Sequence, residues 1–135
     1  MVTDTQPPSA GLTLLVVDDS AMMRAMIKRV TGLCGVPIGN IFEAGNGREA
    51  IAVLERESVD ALFTDINMPV MTGTELLREV EHDGRWPHLL RVIISTDGSA
   101  ARRAEAEELH VSLYVEKPFR PEVMRDVLSE LSTQS

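Results

Sequence analysis

Cysteine is nearly missing from this chain, and so are an excess of cations and any long apolar run. Cys34 is the single cysteine, which excludes an intrachain disulfide. It falls on the apolar stripe of a predicted helix and is expected to be a buried, inert thiol. Thirteen Lys and Arg stand against 21 Asp and Glu, a net charge of -8. Nucleic-acid binding needs a basic footprint that this chain lacks, and the balance suits partners with cationic or apolar surfaces. No apolar run approaches the about 18 residues of a membrane span. The first residues carry no charged stretch followed by an apolar core, so no signal peptide is read. A cytoplasmic protein without membrane insertion is expected.

With 135 residues, 44% of them hydrophobic and 25% charged, the chain suits one globular domain with one core. Residues 1–11 (MVTDTQPPSAG) are polar and Pro-rich and read as a disordered leader. Residues 12–135 form the expected domain, with no internal repeats and no room for a second one. From Leu12 onward, strand and helix patterns alternate. Strands are predicted at 12–17, 40–44, 59–64, 90–95 and 112–116, and helices at 20–34, 47–57, 73–82, 99–109 and 121–132. Met23, Met26, Ile27, Val30 and Cys34 mark the apolar face of the first helix, and Val123, Met124, Val127, Leu128 and Leu131 that of the last. Asn46 with Glu49, and Thr72 with Glu75, read as capping pairs. Pro121 suits the first position of the last helix. Strict alternation of this kind means a parallel sheet with helices on both faces, joined by right-handed crossovers.

Polar residues close the strand patterns. Asp18 and Asp19 follow the first, Asp65 the third, Ser95 the fourth and Lys117 the fifth. In an open parallel sheet these positions share one edge, where ligands bind. Three carboxylates gathered there would repel one another by on the order of several kcal/mol, so something positive must sit among them. The arrangement points to a magnesium-assisted phosphoryl acceptor.

In order and at strand ends, the chain carries Asp18-Asp19, Asp65-Ile66-Asn67-Met68-Pro69 with Gly73, Ser95-Thr96, and Tyr114-Val115-Glu116-Lys117-Pro118-Phe119. Together they resemble the receiver domain of two-component response regulators, most of all the stand-alone CheY-like type, over residues 12 to about 132. That resemblance implies a flavodoxin-like α/β fold, a five-stranded doubly wound parallel sheet in the order 2-1-3-4-5 with five helices.

The resemblance also implies roles. Asp65 would be the phosphoacceptor, a carboxylate nucleophile forming an aspartyl phosphate. Asp19 and Asp65 would bind Mg2+ directly together with the backbone carbonyl of Asn67, and Asp18 largely through water. Lys117 would pair with Asp65 or a phosphoryl oxygen, and its bond to Pro118 is expected to be cis. By register Ser95 is the switch hydroxyl and Thr96 its steric neighbour. Tyr114, the sole tyrosine, would be the aromatic switch, and Asn67 and Asp97 would tune hydrolysis. Each has a blander alternative: Asp65 as a turn residue before Met68-Pro69, Asp19 as a helix cap, Ser95 bonded to its own backbone, Tyr114 as edge-strand packing, Lys117 as a solvated lysine. Trp86 is expected to pack partially at the surface, and His82, His88 and His110 to form no metal set.

Several positions depart from the family's pattern. Thr72 stands where Asp is frequent but keeps the cap chemistry. His110 and Leu113 stand where Gly is usual, so that corner is expected to be altered or strained. Arg120 replaces a capping Ser, Thr or Asp, and the fourth helix is rich in Ala and charge.

The function expected is that of a response regulator, and a monomer is expected. It would take a phosphoryl group from a sensor histidine kinase and signal by binding a downstream protein on the face of the fourth helix, fifth strand and fifth helix. Chemotaxis, with a flagellar-motor target, is the first reading; a phosphorelay step to a histidine phosphotransfer protein is the second. The chain would promote its own phosphorylation and dephosphorylation without being a turnover enzyme. An aspartate-nucleophile phosphatase would need a carboxylate two residues after the nucleophile, where Asn67 stands. A phosphorylation-independent scaffold would leave the complete acid–hydroxyl–lysine set unexplained.

Overall fold

A computed structural model describes residues 11–134. The expected leader lies outside the described residues except for Gly11. Ten elements alternate: β1 Leu12–Val17, α1 Ala21–Gly32, β2 Ile38–Ala44, α2 Gly47–Arg56, β3 Ala61–Thr64, α3 Gly73–Asp83, β4 Leu90–Ser95, α4 Ala100–Glu108, β5 Leu113–Glu116 and α5 Pro121–Gln134. All strands pair in parallel, in the order β2-β1-β3-β4-β5. The doubly wound sheet expected from the resemblance is the one found.

The central strands are buried on both faces, as a sheet covered by helices requires. Leu15, Val17, Leu62 and Ile93 face one apolar layer with Leu54, Leu76, Leu77 and Val80 from α2 and α3. Leu14, Val16, Phe63, Val92 and Ile94 face the other, with Ile27, Met124, Leu128 and Leu131 from α1 and α5. The alternation along each strand thus divides its side chains between two cores.

The helix starts follow local chemistry. Ser20 accepts from the Met23 N–H, Asn46 from that of Glu49, and Ser99 from that of Arg102. Thr72 and Glu75 complete a reciprocal capping box. At Asn46 the box is modified, because the Glu49 carboxylate accepts from the Gly45 N–H instead. At α5 the Arg120 backbone carbonyl accepts from the Val123 and Met124 N–H groups.

Some expectations need correction. Met26 and Val123 are each 40% exposed. Each lies one residue from a buried neighbour, Ile27 and Met124, and so is turned about 100° away on a 3.6-residue helix. Thr31 is buried on α1 instead, its hydroxyl satisfied by donating to the Lys28 carbonyl at 2.7 Å. Cys34 is only half-buried, because α1 ends at Gly32 and leaves it on the following turn. Its thiol donates to the Val30 carbonyl at 3.0 Å, and burial pushes its pKa up.

Strand β2 begins at Ile38, where it pairs with Leu12. Strand β3 begins at Ala61, because the Asp60 carboxylate takes the Thr13 N–H at 2.8 Å. Trp86 is partly buried, as expected, and donates to the Leu54 carbonyl at 3.2 Å.

Candidate functional site

The carboxyl ends of β1 and β3 are neighbours, with Val17 paired to Thr64. The next residues, Asp18 and Asp65, therefore emerge side by side. The Asp65 N–H donates to the Val17 carbonyl at 3.0 Å, extending the ladder one step past the strand. The loop beyond is clamped from several sides. Thr64 donates its hydroxyl to the Asp65 carbonyl at 2.8 Å, and Gly73 its N–H to the Ile66 carbonyl at 2.8 Å. A Cβ at Gly73 would overlap the Asp65 carbonyl oxygen, so only glycine lets α3 begin this close beneath the aspartate.

Asp18, Asp19 and Asp65 each present a carboxylate oxygen within 4.8 Å of the others. Asp18 is buried, Asp65 half-buried and Asp19 exposed. Asp18 accepts the Ser20 N–H at 2.9 Å, and Asp65 the Ile66 N–H at 2.7 Å. Asp19 does not cap α1, since Ser20 does, so its carboxylate projects at the rim of the cluster without that duty.

Lys117 supplies the positive charge. Its ammonium lies 3.0 Å from Asp18 Oδ2 and 3.2 Å from Asp65 Oδ2. Burial alone would lower the Lys117 pKa, but the two carboxylates outweigh it and hold the group above the ordinary lysine value. The solvated-lysine alternative is thereby excluded: the side chain is 11% exposed. The Lys117–Pro118 bond is cis, as expected from the resemblance. One ammonium against three carboxylates leaves the cluster short of positive charge, and all its donors are hard oxygens, the set that Mg2+ prefers.

Ser95 ends β4 fully buried, its hydroxyl accepting the Asp97 N–H at 3.1 Å. The next residue, Thr96, is exposed. Asp97 in turn accepts the Ser99 N–H at 3.0 Å and lies 3.5 Å from the Arg102 guanidinium. Backbone and side-chain bonds from Ser99 hold its carboxyl below the usual carboxylate range. On the edge strand β5, Tyr114 turns its hydroxyl to the Asp97 backbone carbonyl and donates to it. Burial raises the phenol pKa, with the Ser95 hydroxyl acting in the opposite direction. Ser95, the loop and Tyr114 are thus contiguous.

This geometry can be set beside known proteins. The profile of the family described as response regulator receiver domain matches residues 14–129. The chain belongs to the response regulator receiver domain family. A chemotaxis protein CheY homolog of Campylobacter jejuni is 36% identical over 121 residues, 89% of this chain and 92% of that protein. Chemotaxis protein CheY of Pseudomonas aeruginosa is 35% identical, covering 89% of this chain and 95% of its own length. The solved structure of Vibrio cholerae chemotaxis protein CheY4 superposes with a TM-score of 0.80 at 29% identity, covering 90% of this chain and 99% of that one.

In this CheY-like receiver, then, the residues singled out in sequence fall into two groups. Asp18, Asp19, Asp65 and Lys117 meet at one point, while Ser95, Asp97 and Tyr114 form a second cluster along the same edge. Asn67 and Thr96 are exposed beside them. Sequence reasoning missed Arg24. Its guanidinium donates to the Asp18 backbone carbonyl at 2.6 Å and to Glu43 at 2.9 Å, fixing the acidic loop against α1 and β2. Its place four residues after the N-cap Ser20, one turn into α1 and on the side of the loop, was the available signal.

Proposed function

We propose that this receiver accepts a phosphoryl group on Asp65 from the phosphohistidine of a sensor histidine kinase. The observation that carries the reading is the pairing of one largely shielded ammonium with two carboxylates at adjacent strand ends. In the proposed step an Asp65 carboxylate oxygen forms a bond to phosphorus as the phosphorus–nitrogen bond breaks. The electron pair leaves with the imidazole, which takes a proton.

Phosphoryl transfer asks a protein for positioning and charge neutralisation above all. Lys117 would follow the charge, exchanging its Asp65 contact for a phosphoryl oxygen. Asp18, Asp19, Asp65 and the Asn67 carbonyl would hold Mg2+, which when bound neutralises charge on the phosphoryl oxygens. Asn67 leaves no carboxylate at the position a phosphatase of the aspartate-nucleophile type needs. The chain is on this reading a phosphoacceptor that promotes its own phosphorylation and dephosphorylation, not a turnover enzyme.

The output would be binding of a downstream protein on the face of α4, β5 and α5 after Ser95 and Tyr114 shift. The similarity to chemotaxis proteins over most of their length favours a chemotaxis role over a relay role. With Mg2+ and acetyl phosphate, intact mass should show one added phosphoryl group on wild type and none on Asp19→Ala, which lacks a direct metal ligand. Unmodified wild type under those conditions would defeat the proposal.

A further inference from the structure

Outside the acidic cluster, a second set of charged groups surrounds the only tyrosine. Arg103 projects from α4 across the face of Tyr114, its guanidinium carbon 4.6 Å from the ring centroid. Its Nη2 donates to Glu116 Oε1 at 3.0 Å, and its Nε to the Gly98 carbonyl at 3.3 Å. Glu116 lies two residues along β5 from Tyr114, on the same side of the strand. Its carboxylate packs so closely under Gly98 that a Cβ there would overlap it. One side chain therefore joins the β4–α4 loop, α4 and β5. The ring is held at its tip by the Asp97 carbonyl and on its face by the guanidinium.

Stacking on the ring while donating to Glu116 and to the Gly98 carbonyl needs the planar fork of arginine; lysine could supply charge but not the plane. The neighbouring Arg102 pairs with Asp97 and Glu105, so it braces the loop without touching the ring's face. Division of labour between two consecutive arginines follows from their 100° separation on the helix.

We propose that Arg103 is a positioning residue for Tyr114, holding the ring against the β4–α4 loop before any phosphoryl group arrives. The inference rests on the reading of Ser95 and Tyr114 as the route from Asp65 to the output face. It adds that the resting position of the ring is set by an arginine–glutamate clasp on that face.

The test uses the unmodified protein with carbon-13-labelled tyrosine, which yields a single set of ring signals because the chain has one tyrosine. Wild type, Arg103→Ala, Arg103→Lys and Glu116→Gln are compared for ring chemical shift and for broadening by a soluble paramagnetic agent. Loss of a cation–π contact near the surface corresponds to about a two- to fivefold change in population. Arg103→Ala should raise solvent contact of the ring by that factor, Glu116→Gln by less, and Arg103→Lys should restore part of the wild-type signal. High salt should move wild type toward Glu116→Gln, an effect a purely structural role for α4 would not produce. Phosphoryl uptake from acetyl phosphate is measured in parallel; if wild type takes up none, the phosphoacceptor reading fails while the tyrosine comparison still stands. Unchanged ring signals in both Arg103→Ala and Glu116→Gln would overturn the clasp.

Discussion

Val70 shows how a single residue can be held against its own preference. Its φ is 67° and its side chain is 77% exposed. A β-branched side chain in the left-handed region is crowded by its own backbone, and here no burial offsets the crowding. The surrounding loop imposes the conformation: Gly47 donates to the Met71 carbonyl at 3.1 Å, and Gly73 to that of Ile66 at 2.8 Å. Strain of this kind costs on the order of 1–3 kcal/mol, and Asn tolerates the region better than Val. Val70→Asn should therefore stabilise the protein by about 1 kcal/mol, read as a higher urea midpoint with an unchanged slope. A lower midpoint would mean that Val70 makes a favourable contact that outweighs the strain. His110, at φ 58°, is the second such residue, and its Nδ1 lies 3.1 Å from a Glu81 carboxylate oxygen, within hydrogen-bond reach. The altered corner expected from its replacement of glycine is therefore present and braced.

Elements were the most legible level of this sequence. β1, β3, β4 and β5 are short strands followed or closed by Asp18, Asp65, Ser95 and Lys117, and α1 to α4 each open at a side chain that caps them. The parallel order then brings the strand ends to one edge, which is why Asp18, Asp65 and Lys117 could be placed together without coordinates. Less legible was the width of each helix's buried stripe. Periodicity gives its direction but not its edges, so Met26 and Val123 fall inside the predicted stripe yet are exposed, and Thr31 falls outside it yet is buried. Contacts made by arginines across elements were not legible at all. Arg91 is buried at the start of β4 and donates to Glu81 at 2.6 Å and to the Leu109 carbonyl at 3.2 Å. Arg24 and Arg103 make comparable ties. Long flexible side chains choose partners by tertiary proximity, which no local pattern encodes.

At the same scale, the proposed switch role of the β4–α4 loop predicts that chemistry and readout can be separated. Ser95→Ala should still accept a phosphoryl group but lose most of the phosphorylation-dependent change at β5. A hydrogen bond to a charged group is worth roughly 1.5–3 kcal/mol, about ten- to a hundredfold in population. Thr96→Ala, altering an exposed neighbour, should change uptake and hydrolysis rates instead. Amide shifts around Tyr114 with and without beryllofluoride distinguish the two. Shifts erased by Thr96→Ala and retained by Ser95→Ala would place the switch one residue later.

Over the whole molecule, a chain of net charge -8 gathers three acids around one lysine, and that imbalance governs its response to pH and to ligands. Lys117 in the folded protein titrates above the ordinary value of 10.5. The stabilisation from its pairing is therefore complete below that value and is lost as pH rises through the folded pKa. Wild type should lose its stability difference from Lys117→Met at strongly alkaline pH and keep it constant from neutrality to pH about 9. A difference that changes across the neutral range would point to another group. The charge imbalance also underlies the central claim, that Asp65 is the residue that takes the phosphoryl group. Borohydride reduction converts an aspartyl phosphate to homoserine, so peptide sequencing after treatment with acetyl phosphate and Mg2+ reads the acceptor directly. Homoserine should appear at position 65 alone and only when Mg2+ is present; homoserine at another position, or at none, would contradict the account.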